Sequence, residues 1–441
     1  MIELMEGAAK KVAAKIRDHE FVRVISHHDA DGITSAGIIS HALLRCNIHF
    51  HATLLSRLDE SILDLLRDST KEGDLLLFCD MGSSQGELLN KIRHELGLEI
   101  AVIDHHRYKD ELPPDIIQLN PHCVGIDGAF EVSASGCTYT VSKALGDNFD
   151  LAGLAITGAI GDKQRMIGVN RDILNEAVKN GVVILQEGLK IADGDLKEEL
   201  ALSTEPYIHF EEGVDAFLDE LGISGRLSDL SDDDEKRLID AIISKIRTRS
   251  SEDAIADLVG ERYILPYEVI QDAIRFMQII DACGKKGKTG LALSLCMRDR
   301  KGLDEASAIR VEFQKKVLRE LETVDQKIKE RAGFRYIFAE DRDITGAFAG
   351  AIIRYLYPDK PIFVINQLEN ISKISARGTR ALISKGVDLS EIMKIAASRV
   401  GGVGGGHNIA SGGAIPPGSE ERFIEAVDEV LRDHCEFFDE S

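Results

Sequence analysis

The sequence has 441 residues, of which 44% are hydrophobic and 29% charged, and its formal net charge at pH 7 is -22. This composition fits two or three globular domains with aliphatic cores and excludes a largely disordered chain. No apolar run approaches the length of a membrane span, and the first residues are acidic where a secretory signal would be basic, so we expect a cytoplasmic protein. A nucleic-acid enzyme of this charge would need local basic patches or bound metal ions.

The first predicted elements are an amphipathic helix over 4–19 and an apolar strand over 21–24. The turn after this strand contains two histidines and two aspartates: His27, His28, Asp29 and Asp31. Two carboxylates at i and i+2 on a tight turn repel each other in a partly dry site unless a cation neutralises them. The alternative is an ordinary polar turn whose aspartate caps the next helix.

Two further apolar runs, over 75–79 and 99–103, also end in acidic or imidazole side chains, and a third apolar segment over 154–161 leads to another acid. These side chains are Asp80, Asp104, His105, His106 and Asp162. Strands that alternate with helices form a parallel sheet, and the carboxyl ends of such strands meet at one edge. We therefore predict an α/β domain over 1–165, a parallel sheet flanked by helices, with these side chains gathered at one edge.

The gathered side chains mix carboxylates with imidazoles, a set that suits Mn²⁺ better than Mg²⁺. The candidate metal ligands are His27, Asp29, Asp31, Asp80, His105 and Asp162. Six ligands exceed what one ion needs when water or substrate must also bind. Two ions roughly 3.5–4 Å apart, sharing one carboxylate, would use the whole set and would clamp both oxygens of a phosphoryl displacement.

Beyond this edge, residues 133–138 open a helix of small side chains. Its N-terminus could approach the metals or a phosphate, or it could be a capped helix in close packing. Residues 166–302 are predicted to be mostly helical, and 303–332 to form one long connecting helix that ends before Gly333. We find no chemical motif in the segment 200–300.

Strand and helix patterns return after Gly333 and predict a smaller α/β domain over 333–441. Its most informative stretch is the glycine-rich run 401–406 followed by His407, which could form an anion-binding nest of backbone N–H groups. A flexible linker is the alternative. Basic residues outnumber acidic ones over 370–408, which reverses the overall sign of the chain. Arg377 and His407 are therefore candidates to bind a backbone phosphate.

The motifs over 27–32, 78–84, 104–106 and 158–162 resemble, in this order, the four motifs of the DHH phosphoesterase superfamily. The resemblance implies that His27, Asp29 and Asp80 hold one Mn²⁺. It implies that the other ion is held by Asp31, Asp80, His105 and Asp162, so that Asp80 bridges the pair. It also implies that His106 contacts the scissile phosphate, while Asp104 hydrogen-bonds a neighbouring side chain.

At the other end of the chain, the Gly404-Gly405-Gly406-His407 run resembles the substrate-binding motif of the DHH-associated C-terminal domain, and Arg377 matches the basic strand beside it. The first motif and the chain length are most similar to archaeal RecJ-like nucleases. The implied activity is that of a Mn²⁺-dependent exonuclease on single-stranded DNA or RNA, in replication, repair or RNA turnover. His27 rather than His28 is taken as the metal ligand, which leaves His28 to contact substrate.

Two alternatives remain open from the sequence. The same chemistry would serve a phosphodiesterase acting on oligoribonucleotides or small nucleotides. A replication scaffold that binds GINS without catalysis is the other alternative, and the complete set of metal positions argues against it.

Overall fold

The computed structural model describes residues 1–108 and 110–434. The chain forms two compact units, each built from separated segments. The first unit contains Met1–Gln186 and Glu261–Arg310, and the second contains Glu187–Gly260 and the residues from Val311 onward. Within the described part of the chain, no helix is both long and apolar enough to cross a membrane.

The first unit is organised around a five-stranded parallel sheet. Its strands are β1 (Phe21–His27), β2 (His49–Leu55), β3 (Leu75–Cys79), β4 (Glu99–Ile103) and β5 (Ile117–Leu119), and their order is β2-β1-β3-β4-β5. The predicted fold class is confirmed. The short edge strand β5 was not predicted, because three residues are too few for a periodic signal.

Alternate side chains of the central strands enter two different apolar cores. On β3, Leu75 and Leu77 belong to the larger core, whereas Leu76 and Phe78 belong to the smaller one on the opposite face of the sheet. This alternation follows from the two-residue repeat of a strand. Strands buried on both faces are continuously apolar, which is why these runs are visible in the sequence.

Helices cover both faces of this sheet. They are α1 (Glu3–Arg17), α2 (Ala30–Arg45), α3 (Ile62–Arg67), α4 (Gly86–Leu96), α5 (Ala134–Leu145), α6 (Ala152–Gly161) and α7 (Gly168–Lys179). Leucines and isoleucines of α3 and α4 fill the smaller core, while α1, α2, α5 and α6 pack on the larger one. The closely packed helices α2, α5 and α6 lie beside the sheet edge where the predicted site residues gather.

The segments after α7 are mainly helical, as predicted. They contain β6 (Ile184–Leu189), α8 (Leu196–Ala201), α9 (Gly213–Leu221), α10 (Asp232–Ile246), α11 (Glu252–Ala256), β7 (Val259–Ile264), α12 (Ala273–Lys285) and α13 (Thr289–Cys296). Ser231 caps α10 through a hydrogen bond from the backbone N–H of Asp234. The acidic residues that follow Ser231 occupy the first helical turn, where they complement the helix dipole.

The predicted helix over 303–332 is wrong in its last third. The helix α14 (Leu303–Glu322) ends earlier and is followed by α15 (Val324–Lys327) and the strand β8 (Lys329–Glu330). Thr323 donates its N–H to Glu320 across a tight turn, and β8 pairs with the following strand. Strand pairing across a turn leaves no trace in a charge-rich sequence, so the helical pattern gave no sign of this end.

The C-terminal part of the second unit contains a six-stranded sheet. Together with β8, its strands are β9 (Arg335–Ala339), β10 (Ile362–Gln367), β11 (Ser372–Arg377), β12 (Val403–Gly406) and β13 (Ala410–Ile415), in the order β12-β13-β11-β10-β9-β8. The accompanying helices are α16 (Thr345–Tyr355), α17 (Arg380–Ser384), α18 (Leu389–Arg399) and α19 (Glu420–His434). The strands and helices predicted after Gly333 are present.

The second part of the glycine-rich run, Val403–Gly406, is a strand and not a flexible linker. Gly404 and Gly405 pair with Gly413 and Gly412 in an antiparallel ladder at the edge of the sheet. A Cβ at Gly404 would lie 2.6 Å from Cγ of Met393 on α18, so close helix packing requires this glycine. The space around Gly405 is open, since no atom lies within 4 Å of its Cβ position.

Candidate metal centre

The turn after β1 caps the next helix and also places a carboxylate beside an imidazole. The helix cap and the cluster of possible ligands, which the sequence left as alternatives, therefore occur together. Asp29 caps α2 by accepting a hydrogen bond from the N–H of Gly32 at 3.1 Å, and its other oxygen lies 2.8 Å from Nδ1 of His27. A side chain at position 32 would meet the carbonyl oxygen of His27 at 2.4 Å, so only glycine permits this tight turn. The cap therefore fixes the Asp29 carboxylate beside the imidazole.

Asp31 lies two residues after Asp29, in the first turn of α2, and is completely buried. Its carboxylate accepts hydrogen bonds from the backbone N–H groups of Ala134 and Ser135 at 2.7 and 2.9 Å. The anion at the N-terminus of α5 is thus this side chain and not a phosphate, while Ser133 caps the same helix. Burial and the nearby Asp80 raise the pKa of Asp31 to about 6, because both disfavour its ionised form.

Asp80 follows β3 and lies between the other proposed ligands. One carboxylate oxygen is 3.5 Å from Nδ1 of His27 and the other is 3.4 Å from Nε2 of His105. Its backbone has a φ of 58°, a left-handed conformation in which Asp and Asn are enriched among non-glycine residues. This strained backbone directs a single carboxylate toward both imidazoles, as a bridging ligand requires.

His105 is oriented by the backbone. Its Nδ1 donates to the carbonyl oxygen of Gly128 at 2.8 Å, which turns Nε2 toward Asp80 and toward Asp162 at 3.3 Å. Burial lowers the pKa of His105, but the surrounding carboxylates raise it well above its usual value. They therefore favour a positive charge at Nε2, and a divalent cation would replace that proton.

Two buried amides that the sequence analysis missed complete this contact. Gln164 donates to the same Gly128 carbonyl at 2.8 Å, and Asn170 in turn donates to Gln164 at 2.7 Å. Such outer contacts fix the orientation of a ligating histidine. No signal in the sequence could have indicated them, because Gln164 binds a backbone oxygen supplied by a distant loop and Asn170 binds Gln164.

Asp104 organises the histidine pair. It accepts hydrogen bonds from the backbone N–H groups of Ser83, His105 and His106, and from Nδ1 of His106 at 2.8 Å. Burial raises the pKa of Asp104, but His106 and the other donors hold it well below its usual range. The ionised carboxylate therefore orients the ring of His106 through Nδ1.

Asp162 comes from the end of a helix. The apolar segment before it is α6, whose C-terminus places Asp162 beside His105. At Gly158 of this helix a Cβ would lie 2.4 Å from Oδ1 of Asp31, so glycine lets α6 approach the cluster. Burial and the charge of Asp31 raise the pKa of Asp162 well above its usual value.

The predicted metal ligands of the first unit lie close together. Within the described residues, three groups have ligand atoms that all lie within 4.8 Å of one another: His27, Asp29 and Asp80; Asp31, His105 and Asp162; Asp80, His105 and His106. Several carboxylates this near one another and this deeply buried repel each other unless cations separate them. The donor set fits a pair of divalent ions that share Asp80.

The remaining predicted site residues are His28, which follows the proposed ligand His27, and residues of the C-terminal sheet. The ring of His28 makes an edge contact with His27, with 4.8 Å between ring centroids. In the C-terminal sheet Arg377 pairs with Ala410, which exchanges backbone hydrogen bonds with His407 at 2.9 and 3.2 Å. Arg377 and His407 therefore lie on either side of Ala410, next to the end of the glycine strand.

Two family models match the chain. The model of the DHH family N-terminal domain matches residues 21–159, and that of the DHHA1 domain matches residues 334–433. An uncharacterized protein of Methanocaldococcus jannaschii, MJ0831, is 34% identical over 439 residues, which cover 97% of either chain. The chain belongs to the DHH family.

Relatives of this DHH-family protein include RecJ. This chain is 26% identical over 205 residues to the single-stranded-DNA-specific exonuclease RecJ of Bacillus subtilis. The match covers 44% of this chain and 26% of the relative. The structure of RecJ from Thermus thermophilus in complex with Mn²⁺ has a similar fold, with a TM-score of 0.64 at 17% identity. That match covers 98% of this chain and 55% of the Thermus chain, so the DHH-family protein spans about half of it.

Proposed function

We propose that this DHH-family phosphoesterase is a two-metal exonuclease that hydrolyses single-stranded DNA or RNA with Mn²⁺. The observation that carries the proposal is the position of Asp80, whose two oxygens lie 3.5 and 3.4 Å from the imidazoles of two different ligand groups. A bridging carboxylate between two ions is the arrangement that phosphoryl transfer uses.

The two ligand groups would divide the metal ions between them. His27, Asp29 and Asp80 would hold one ion, and Asp31, Asp80, His105 and Asp162 the other. Both ions would lie at the carboxyl edge of the sheet, where ligands of open α/β sheets bind. When bound, such ions neutralise phosphoryl oxygens and lower the pKa of water to near neutrality.

The protein's own side chains would position the substrate. His106, held through Nδ1 by Asp104, would direct Nε2 at an oxygen of the scissile phosphate. His28, Arg377, Gly404, Gly405, Gly406 and His407 are proposed to contact the strand. In the glycine strand, Gly405 is the position with open space for a phosphate, since Gly404 is already explained by its contact with Met393.

The test compares a long end-labelled single strand, as DNA and as RNA, with a dinucleotide, each in the presence of Mn²⁺. We expect stepwise shortening of the long strand, and the labelled end that is lost first gives the polarity. Activity confined to the dinucleotide would favour the alternative of a small-nucleotide phosphodiesterase.

The matched control is Asp80→Asn, since asparagine also adopts the left-handed backbone that Asp80 has. This variant should fold normally but bind fewer Mn²⁺ ions in calorimetric titration, and it should digest nothing. If the wild type is equally inactive and both forms capture GINS in a pull-down assay, the protein is a replication scaffold.

A further inference from the structure

Two large apolar side chains are exposed close to the cluster. Phe130 is 45% exposed and Ile167 is 46% exposed, and neither residue belongs to a helix or a strand. Both belong to connecting loops, where water would normally favour polar side chains. Neighbouring exposed apolar side chains can form the kind of patch to which a ligand binds.

The loops that carry these side chains touch each other. The backbone N–H of Asn170 donates to the carbonyl of Glu131 at 2.8 Å. Gly168, with a φ of 56°, leaves no room for a side chain, because a Cβ there would lie 2.6 Å from Cβ of Glu131. Phe130 and Ile167 each come directly before one of these touching residues, so the backbones that carry the two exposed side chains lie close together.

Both loops are fastened to the metal centre. Gly128 accepts the hydrogen bond of His105, and Gln164 donates to Gly128 and to Val132 at 2.8 and 3.3 Å. The turn over residues 127–129 is held by Asp127, whose carboxylate accepts a hydrogen bond from the N–H of Ala129 at 2.9 Å. The backbones of both loops are therefore anchored a few residues from the proposed ligands.

The charge around this pair is suited to a polyanion. Lys163 and Arg165 are exposed on the segment that joins Asp162 to Ile167. Arg107, directly after His106, is exposed as well, and its guanidinium pairs with the Asp127 carboxylate at 3.0 Å. Three basic side chains beside a cluster of acids stand out in a chain whose net charge is -22. Their positive charge beside the proposed cleavage site would attract the phosphates that flank the scissile bond.

We propose that Phe130 and Ile167 form a platform for a nucleobase. The base of a nucleotide next to the scissile phosphate stacks on the ring of Phe130 and packs against Ile167. Lys163 and Arg165 attract the adjoining phosphates. This inference rests on the proposed nuclease function and deepens it, because it makes the base itself part of what the site recognises. Stacking is tolerant of sequence, since every base has a flat apolar face.

The test removes the ring and the base separately. One labelled strand carries a normal base next to the bond to be cut, and a second strand carries an abasic nucleotide there. We expect Phe130→Ala to lower kcat/KM on the normal strand by roughly 5- to 100-fold, with most of the change in KM. On the abasic strand the loss should be several-fold smaller, and Phe130→Trp should restore cleavage of the normal strand.

The matched control is Phe149→Ala. Phe149 is 41% exposed but precedes α6, whose ten residues separate it by about 15 Å from the end that carries Asp162. Phe149→Ala should change kcat/KM by the same factor on the normal strand and on the abasic strand. Equal losses on both strands for Phe130→Ala would overturn the platform.

Binding separates this inference from the proposed function. In the Asp80→Asn background, a strand with 2-aminopurine at the tested position should lose fluorescence on binding, and Phe130→Ala should abolish that quenching. A wild type that cleaves neither strand refutes the nuclease, while the quenching still decides the platform. Quenching that is unchanged in Phe130→Ala refutes the platform whatever the enzyme cleaves.

Discussion

At the scale of single residues, the proposed ligands are held by contacts to the backbone. Asp31 is bound by two amides of α5, and His105 by the carbonyl of Gly128. Such contacts are set when the chain folds, before any ion arrives. Side chains fixed in this way lose little freedom on binding, so the site is already arranged for its ligands.

Asp104 offers the clearest test at this scale. Asparagine in its place keeps the shape but has one acceptor oxygen where the carboxylate has two, and it lacks the charge that orients His106. We expect Asp104→Asn to reduce activity or Mn²⁺ affinity by about 10- to 100-fold. Calorimetric titration with Mn²⁺ and a steady-state assay would measure the two effects separately.

The control for this variant is Asp150→Asn, which removes another carboxylate with strong hydrogen bonds. Asp150 pairs with Arg45 and Arg298 at 2.7 and 2.6 Å, away from the cluster. That substitution should lower stability and leave Mn²⁺ affinity unchanged. Wild-type metal affinity and turnover in Asp104→Asn would show that His106 needs no such support.

The sequence predicted which side chains meet at the sheet edge better than it predicted the contacts that hold them. Asp80 and His105 end buried strands, and the rule that parallel strands finish at one edge placed them together. Gln164 and Asn170 could not be predicted in the same way. Their role depends on the carbonyl of Gly128, which any residue at that position would supply.

At the scale of elements, two adjacent glycines of the strand β12 have different surroundings, so their roles in packing and in binding can be tested separately. Gly404 is pressed against Met393 of α18, whereas Gly405 faces open space. We expect Gly404→Ala to lower the free energy of unfolding by about 1–3 kcal/mol, because the new methyl group must displace the helix. Gly405→Ala should change stability by no more than about 0.5 kcal/mol.

The same pair of variants tests the proposed contact with phosphate. Gly405→Ala should weaken binding of a labelled single strand while its unfolding curve stays that of the wild type. Urea unfolding and fluorescence anisotropy would measure these quantities. Unchanged affinity in Gly405→Ala would remove this glycine from the proposed binding surface.

Some elements escaped prediction for identifiable physical reasons. Glycine has no side chain to reveal the alternation of a strand, so β12 resembled a loop until its pairing with β13 was known. In α6 nearly all residues are apolar, which hides the helical repeat. The end of α14 depends on the pairing of β8, a contact with residues further along the chain.

At the scale of the whole molecule, the charge of -22 bears on how a strand would bind. A chain of this charge has no long-range attraction for the phosphates of a strand, so its affinity for the strand would come from a few local contacts and from bound cations. If Lys163, Arg165 and Arg377 each neutralise one phosphate, the logarithm of affinity should fall with the logarithm of salt concentration with a slope of about -2.

Anisotropy of a labelled single strand over a range of salt concentrations, with Asp80→Asn to prevent digestion, would measure this slope. Arg165→Ala should make it shallower by about 0.7. A slope steeper than about -4 would reveal a larger basic surface than these three residues provide.

The order of segments along the chain did not show how they combine. The alternation of strands and helices predicted an α/β fold at both ends, and the structure confirms it. The second unit, however, joins Glu187–Gly260 to the residues from Val311 onward. A unit assembled from separated segments leaves no boundary signal in composition, since its cohesion comes from contacts between distant residues.

The left-handed backbone at Asp80 also limits how this position can evolve. Asparagine or glycine can inherit a φ of 58°, whereas alanine or a β-branched residue would carry a conformational penalty. Asp162, with a φ of -79°, accepts any side chain as far as its backbone is concerned. In homologues that have given up hydrolysis, we therefore expect position 80 to hold Asn or Gly and position 162 to vary widely.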